Sequence, residues 1–410
     1  MSRTAHNTEE IVKSLIDTGT ITSNGTVQVQ EADRFLDYVE NESVMLSGGN
    51  TRVERISKGD RWRVNKIGVG QRNAVPAEEG VDPGFRRGVS TSSVPLTTSE
   101  IMLSYDITQD FKETNLEGDS VSNHIAQMFA KAMANDMEDM ILNGNTLGPA
   151  ILSDDYANDG NTTQYRKDGL LALQDGFFTL FDAGAQVLDA GGENFGVRVL
   201  RQAMTTLPAK YRKNRNSMGL YLNLDLLEMW QEKLSRRGTP IGDAALSDGK
   251  TQPYNRPFGL PPVPLSLFEF NPTVVKHVTL SGTTATSLGF ANIKSGSVVV
   301  TTSSLTPGTP ETPYTLTTDY TLDLAAGTIA RNGAGSIGDG DVVKVTFQTP
   351  PQMLLTPKNN LIVGFSRDMQ IESDRDIHRR VDEVVMTTKI GFAVENLEAC
   401  VLIKNLGEDI

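Results

Sequence analysis

Gly333, Gly335 and Gly338 stand in the order G-x-G-x-x-G within "NGAGSIGDGD" (332–341), the spacing that lets a backbone approach a pyrophosphate. That chemistry needs a strand before the glycines and a helix N-terminus after them. Here "GTIARN" precedes and "DGDVVKVTF" follows, and both read as strands, so Gly338, Asp339 and Gly340 are expected as hairpin turn residues and no cofactor is expected. The four histidines, His6, His124, His277 and His378, fall in separate segments and form no pair at metal or catalytic spacing. "DDYANDGNTTQYR" resembles a calcium loop. With Gly160 as its sixth position, however, Ala157 stands where an acidic ligand belongs and Arg166 where the bidentate Glu belongs. Cys400, the one cysteine, lies in the apolar run "EACVLIKNL" and reads as a small core residue. No catalytic, metal or cofactor residue emerges, and the chain is not expected to be an enzyme.

What remains is charge arranged for contact. In "SDRDIHRR" the acids Asp374 and Asp376 alternate with Arg375, Arg379 and Arg380, as ion pairs at interfaces do. Glu78, Glu79, Arg86 and Arg87 form a second mixed cluster inside a loop rich in Gly, Pro and Ser. The formal net charge of -13 argues against extensive contact with nucleic-acid phosphates, whose affinity comes from Lys and Arg. The cationic run "KYRKNRN" (210–216) has only Tyr211 as an aromatic platform and reads as a helix end or subunit contact. No apolar run is long enough to cross a bilayer, and the amino terminus lacks the look of a secretory signal, so a cytoplasmic protein is expected.

These clusters sit on a chain of 410 residues, more than one core usually serves. Residues 1–46 read as an arm with two short helical stretches. "TRVERISKGDRWRVNKIG" and "SEIMLSYDITQDF" read as two strands of a ribbon; in the second, Ile101, Leu103, Tyr105 and Ile107 alternate on one face. Between them lies a long loop, Gly70 to Ser99. A two-stranded ribbon is marginal alone in water, so it is expected to lie across another subunit. Residues 119–143 give the clearest helix, about 37 Å long, with Val121, Ile125, Met128, Phe129, Ala132, Met137, Met140 and Ile141 inward. A mixed α/β region follows, containing a helix with Phe195, Leu200, Ala203, Met204 and Leu207 inward, a second helix from about Asp225 to Arg237, and the proline-stiffened strand "FGLPPVPL". From Asn271 to Pro350 the composition turns to Thr, Ser, Gly and Val, as in a small β-sandwich that is immunoglobulin-like in architecture. Strand-rich runs close the chain.

Taken in order, "RVERISKGDRWRVNKIG" through "SEIMLSYDITQDF", "HIAQMFAKAMANDMEDMILNG", "LPAKYRKN", "LSRRGTPIGD", "FGLPPVPL" and "NLIVGFSRDMQIESDRD" resemble the major capsid proteins of tailed double-stranded DNA bacteriophages. That fold is shared with encapsulins and the herpesvirus capsid floor. The resemblance implies an α+β tailed-phage capsid fold. It divides into an N-terminal arm (1–46), an extended β-ribbon loop (47–110), a peripheral domain with a spine helix (111–149 and 368–410) and an axial domain (150–271 and 350–367). The inserted β-domain (272–349) would face outward from the axial domain. Glu78, Glu79, Arg86, Arg87, Asp374, Arg375 and Asp376 become the expected inter-subunit contacts.

The same resemblance implies self-assembly as pentamers and hexamers into an icosahedral shell in the virion, assembled in the host cytoplasm. The shell would enclose double-stranded DNA without binding it specifically, and no membrane would take part. The arm is too short to carry a helical scaffold segment, which implies a separate scaffolding protein, with a portal and a cement or decoration protein as further partners. No lysine occurs from Gly70 to Ser99, Lys58 and Lys66 lying lower on the ribbon, so a shell without covalent cross-links is expected. The alternatives are an encapsulin-type compartment or, from another class, a secreted β-rich glycan-binding adhesin or hydrolase. The amino terminus and the lack of a convincing carboxylate pair weigh against the second.

Overall fold

The computed structural model describes residues 15–16, 43–46, 49–56, 61–68, 90–108, 121–152, 165–184, 186–236, 256–303 and 310–408. Most of the arm lies outside these residues, as do the ribbon tip with Glu78, Glu79, Arg86 and Arg87 and the "DDYANDGNTTQ" stretch of the calcium-like loop.

A mixed α+β chain builds two five-stranded sheets. The first is dominated by a long antiparallel hairpin, Leu361–Asp376 with Val381–Val394. Ser99–Thr108 joins one side of the hairpin antiparallel, and Arg52–Arg55 joins the other side parallel. The spine helix, Val121–Asn143, packs on this sheet. Ile101, Tyr105 and Ile107 are buried and Leu103 half-buried, as their alternation requires, and Tyr105 stacks on Phe129 with ring centroids 4.1 Å apart. The helix presents Ala130, Met133, Ala134, Met137, Met140 and Ile141 to the core. Met128 and Ala132, expected inward, face out, and Met128 is 60 % exposed. Met and Ala occur all around this helix, so the register of its buried stripe is decided by the sheet it meets.

The ribbon differs from expectation. Arg61–Gly68 pairs with Ser90–Thr97, from the segment read as loop, while Ser99–Thr108 belongs to the hairpin sheet. Ser, Thr and Pro in 90–97 suppress the strand signal, yet Pro95 is tolerable because each strand of a two-stranded ribbon is an edge.

The second sheet runs in the order Pro262–Leu265, Met218–Asn223, Met353–Pro357, Val401–Lys404, Gln186–Asp189. Its core includes Phe195, Leu200, Ala203, Met204 and Leu207, around the helix Val197–Thr206, together with Leu226 and Trp230 of the helix Leu224–Ser235. Asn223 caps the latter helix by accepting from the Asp225 N–H. Val401–Lys404, placed with the hairpin half in the sequence division, pairs in this sheet. Phe177–Gly184, a helix not anticipated, touches both sheets.

Between Thr273 and Gln348 two three-stranded sheets enclose a separate core that includes Val278, Phe290, Val300, Ile329, Val343 and Phe347. One sheet is ordered Thr273–Leu280, Asp341–Gln348, Val299–Thr302, and the other Thr286–Ser287, Thr328–Arg331, Tyr320–Asp323. First and last strands pair antiparallel, which is not the immunoglobulin division of strands into ABED and CFG. Thr328–Arg331 and Asp341–Gln348 lie in different sheets, so the glycines between them make a crossover between sheets and not the expected hairpin turn.

Candidate functional site

Among the described residues the chain forms two projections, a ribbon and the end of a long hairpin. The ribbon rises from a small cluster of Ile56, Leu96 and Ala393, with Trp62 and Val94 packed against it. It sits close to the hairpin because Gly364 and Gly391 face each other across the strands. A Cβ at Gly391 would stand 2.3 Å from the Thr97 carbonyl oxygen, and one at Gly364 would stand 2.3 Å from Leu96 Cδ2. Gln174 completes the base. Its Nε2 donates to the Thr97 and Ile390 carbonyls at 2.9 and 3.2 Å and to Ser99 Oγ at 2.9 Å, while its Oε1 accepts from the Phe392 N–H at 3.2 Å.

The sequence-singled residues Asp374, Arg375 and Asp376 come together at the far end of the long hairpin. Asp374 accepts from the Arg375 N–H at 2.7 Å. Asp376 accepts from the N–H groups of His378 and Arg379 at 2.8 and 3.2 Å. These bonds, that from Arg379 foremost, hold the half-buried Asp376 carboxyl below its ordinary value. Arg379 reaches Glu383 at 2.9 Å and Asp106 at 3.3 Å, and Arg375 lies 3.9 Å from Asp382. These pairs are made within the subunit, and pairs this exposed contribute little to its stability. At the apex Ile377 is 78 % exposed.

The end of the arm is fastened to the spine helix. Glu138, almost wholly buried, accepts from Ser43 Oγ and the Val44 N–H, each at 2.7 Å, which places Met45 and Leu46 in the main core. The cationic run 210–216 is a short exposed helix end: Lys210 pairs with Glu398 at 3.1 Å, and Arg215 donates to the Phe258 carbonyl at 3.1 Å.

Around the glycine crossover the backbone donors already have acidic partners. Asp319 takes the Ser336 N–H at 2.7 Å, Asp341 takes the Gly338 N–H at 2.7 Å, and Asp339 pairs with Arg331 at 3.3 Å. A phosphate there would meet carboxylates in place of free N–H groups. Cys400 is buried between Thr356 and Asn360, and burial pushes its thiol up to about 12. Among the described residues no three His, Cys, Asp or Glu side chains gather as metal ligands, and no helix is long and apolar enough to span a membrane.

The sheets, spine helix and ribbon share their fold with a solved phage procapsid structure. They match a solved structure of the satellite phage P4 procapsid including the size determination (Sid) protein, with a TM-score of 0.50 at 12 % identity over 93 % of this chain and 92 % of that one. A structure from Gordonia phage Cozz matches with a TM-score of 0.46 at 12 % identity, over 90 % and 87 % of the two chains. No family model matches. In sequence, the chain is 27 % identical over 404 residues to the "Putative prophage capsid protein YqbE" of Bacillus subtilis (strain 168), covering 98 % of this chain and 99 % of that protein. The capsid fold and the end-to-end likeness to a prophage capsid protein are consistent with a major capsid protein.

Proposed function

We propose that copies of this chain assemble as pentamers and hexamers into an icosahedral shell that encloses double-stranded DNA in the virion. The observation that carries this reading is the end-to-end likeness to a prophage capsid protein on a chain with the capsid fold. The ribbon supports it, since a two-stranded element that rises from a small base cluster gains by packing on a neighbour. Asp374, Arg375 and Asp376, with Ile377, meet another subunit at the hairpin end, and Glu78, Glu79, Arg86 and Arg87 do so at the ribbon tip. The acidic balance keeps packaged DNA from adhering to the wall.

In this reading residues 1–46 form the arm, 47–110 the extended ribbon, 111–149 and 368–410 the peripheral domain, 150–271 and 350–367 the axial domain, and 272–349 the insertion. Assembly takes place in the host cytoplasm with a separate scaffolding protein and a portal, and a cement protein can add to the finished shell. Negative-stain microscopy of the expressed chain, alone and with its scaffolding partner, tests the reading. Rings, tubes or shells are expected, and a persistent monomer under both conditions would overturn it. Mature particles should run as one monomer band on denaturing electrophoresis, because the ribbon tip carries no lysine.

A further inference from the structure

We propose that the 273–348 segment is an internal brace of the subunit, clamped to the loop after the spine helix, to the helix between the sheets and to a strand of the second sheet, in place of an appendage hung on its surface. Two charged seams carry the inference.

At the first seam Pro310–Glu311 leaves the segment's own sheets and pairs antiparallel with Tyr165–Lys167, which pairs in turn with Ala150–Leu152 of the body. Lys344 and Glu311 are both fully buried and 2.6 Å apart. Thr301 Oγ1 donates to Glu311 at 3.1 Å, and Lys344 also donates across the seam to the Gly148 carbonyl at 3.2 Å. Thr346 Oγ1 accepts from the Ala150 N–H at 3.1 Å.

At the second seam Asp182, on the helix that touches both sheets, accepts from Lys276 of the segment and from Lys404 of the second sheet, the latter at 3.2 Å. Lys404 in turn donates to the Gly289 carbonyl at 2.7 Å and stands 4.3 Å from the centre of the Phe290 ring.

Burying Lys344 and Glu311 carries a large desolvation cost that only close mutual pairing offsets, so each charge holds the other in place. A domain attached solely through its two chain crossings would need none of this. The segment grips the loop after the spine helix, the helix between the sheets and a strand of the second sheet.

Hydrogen exchange followed by mass spectrometry on the full chain tests the brace. Glu311→Ala leaves Lys344 buried without its carboxylate, and peptides covering 145–152 and 165–167 should then exchange about tenfold or more faster, while 218–223 stays within about twofold. The double variant Glu311→Leu with Lys344→Met, apolar and of similar volume, should restore protection in 145–167. Should Glu311→Ala fail to fold, Asp182→Asn at the less buried second seam decides. It should also speed exchange at 145–152, through the segment. Changes confined to 299–311 in the first variant, or to 177–184 in the last, would show an appendage and overturn the proposal.

Discussion

Adding one methyl group at Gly391 should loosen the ribbon, whereas adding one at its cross-strand partner Gly364 should be nearly neutral. The Gly391 Cβ would lie 2.3 Å from the Thr97 carbonyl oxygen and 3.0 Å from the carbonyl carbon, both backbone atoms. Relief needs a shift of about 1 Å in the last residue of the ribbon strand, given ordinary contacts of about 3.5 Å. The same carbonyl accepts from Gln174, so that bond is strained too. Overpacking of this kind costs about 1–3 kcal/mol and a weakened hydrogen bond about 1 kcal/mol, against a gain of about 0.4–1 kcal/mol from the smaller unfolded-state entropy of Ala. Net destabilisation of about 1–3 kcal/mol is expected for Gly391→Ala. At Gly364 the nearest atom is the end of a leucine side chain, Leu96 Cδ2, whose rotamer can move for about 0.5–1.5 kcal/mol. The entropy gain offsets most of that, leaving Gly364→Ala within about 1 kcal/mol of the parent. Urea unfolding of both variants, with hydrogen exchange across 90–97, measures the difference. If Gly391→Ala is no less stable than Gly364→Ala, the close seating of the ribbon base does not depend on this glycine.

Glu138→Ala strands two donors of the arm, Ser43 Oγ and the Val44 N–H, in a buried place and should cost about 2–4 kcal/mol in denaturant unfolding, with faster proteolysis before residue 43. An unchanged midpoint would place the arm's anchorage elsewhere. Ile377→Asp at the hairpin apex should leave subunit stability within about 0.5 kcal/mol but reduce shell yield on microscopy; normal shells would remove the apex from the contacts. Cys400 should resist a thiol reagent at pH 8 in the native chain and react once the chain is denatured. Its folded value is raised to about 12, so its contribution to stability is complete below the ordinary thiol value and is lost as pH climbs through the range up to about 12. Native reactivity at pH 8 would refute that burial.

Legibility in the sequence followed from how local each determinant is. The alternation of Ile101 to Ile107 and the stripe of Phe195 to Leu207 are set by a single period against a single core, and they appear in the structure as written in the residues. Gly364 and Gly391 are 27 positions apart, and nothing beside either announces that a ribbon will rest on them; only the hairpin register brings them together. The strand Asp341–Gln348 is the sharpest case. In "DVVKVTFQ" Val343, Val345 and Phe347 alternate with Lys344 and Thr346, so a period-two reading sends the lysine to water on an outer face. In the structure residues 343–347 are all buried. One face of the strand fills the core of the inserted segment, and the other meets the body through Lys344 and Thr346. A composition shift at Asn271 marks where a second core begins, but an unpaired charge in a β pattern cannot report whether its face is wet or docked. That depends on Glu311 arriving from 33 positions upstream, and it turns what reads as a wet outer face into one docked on the body of the subunit.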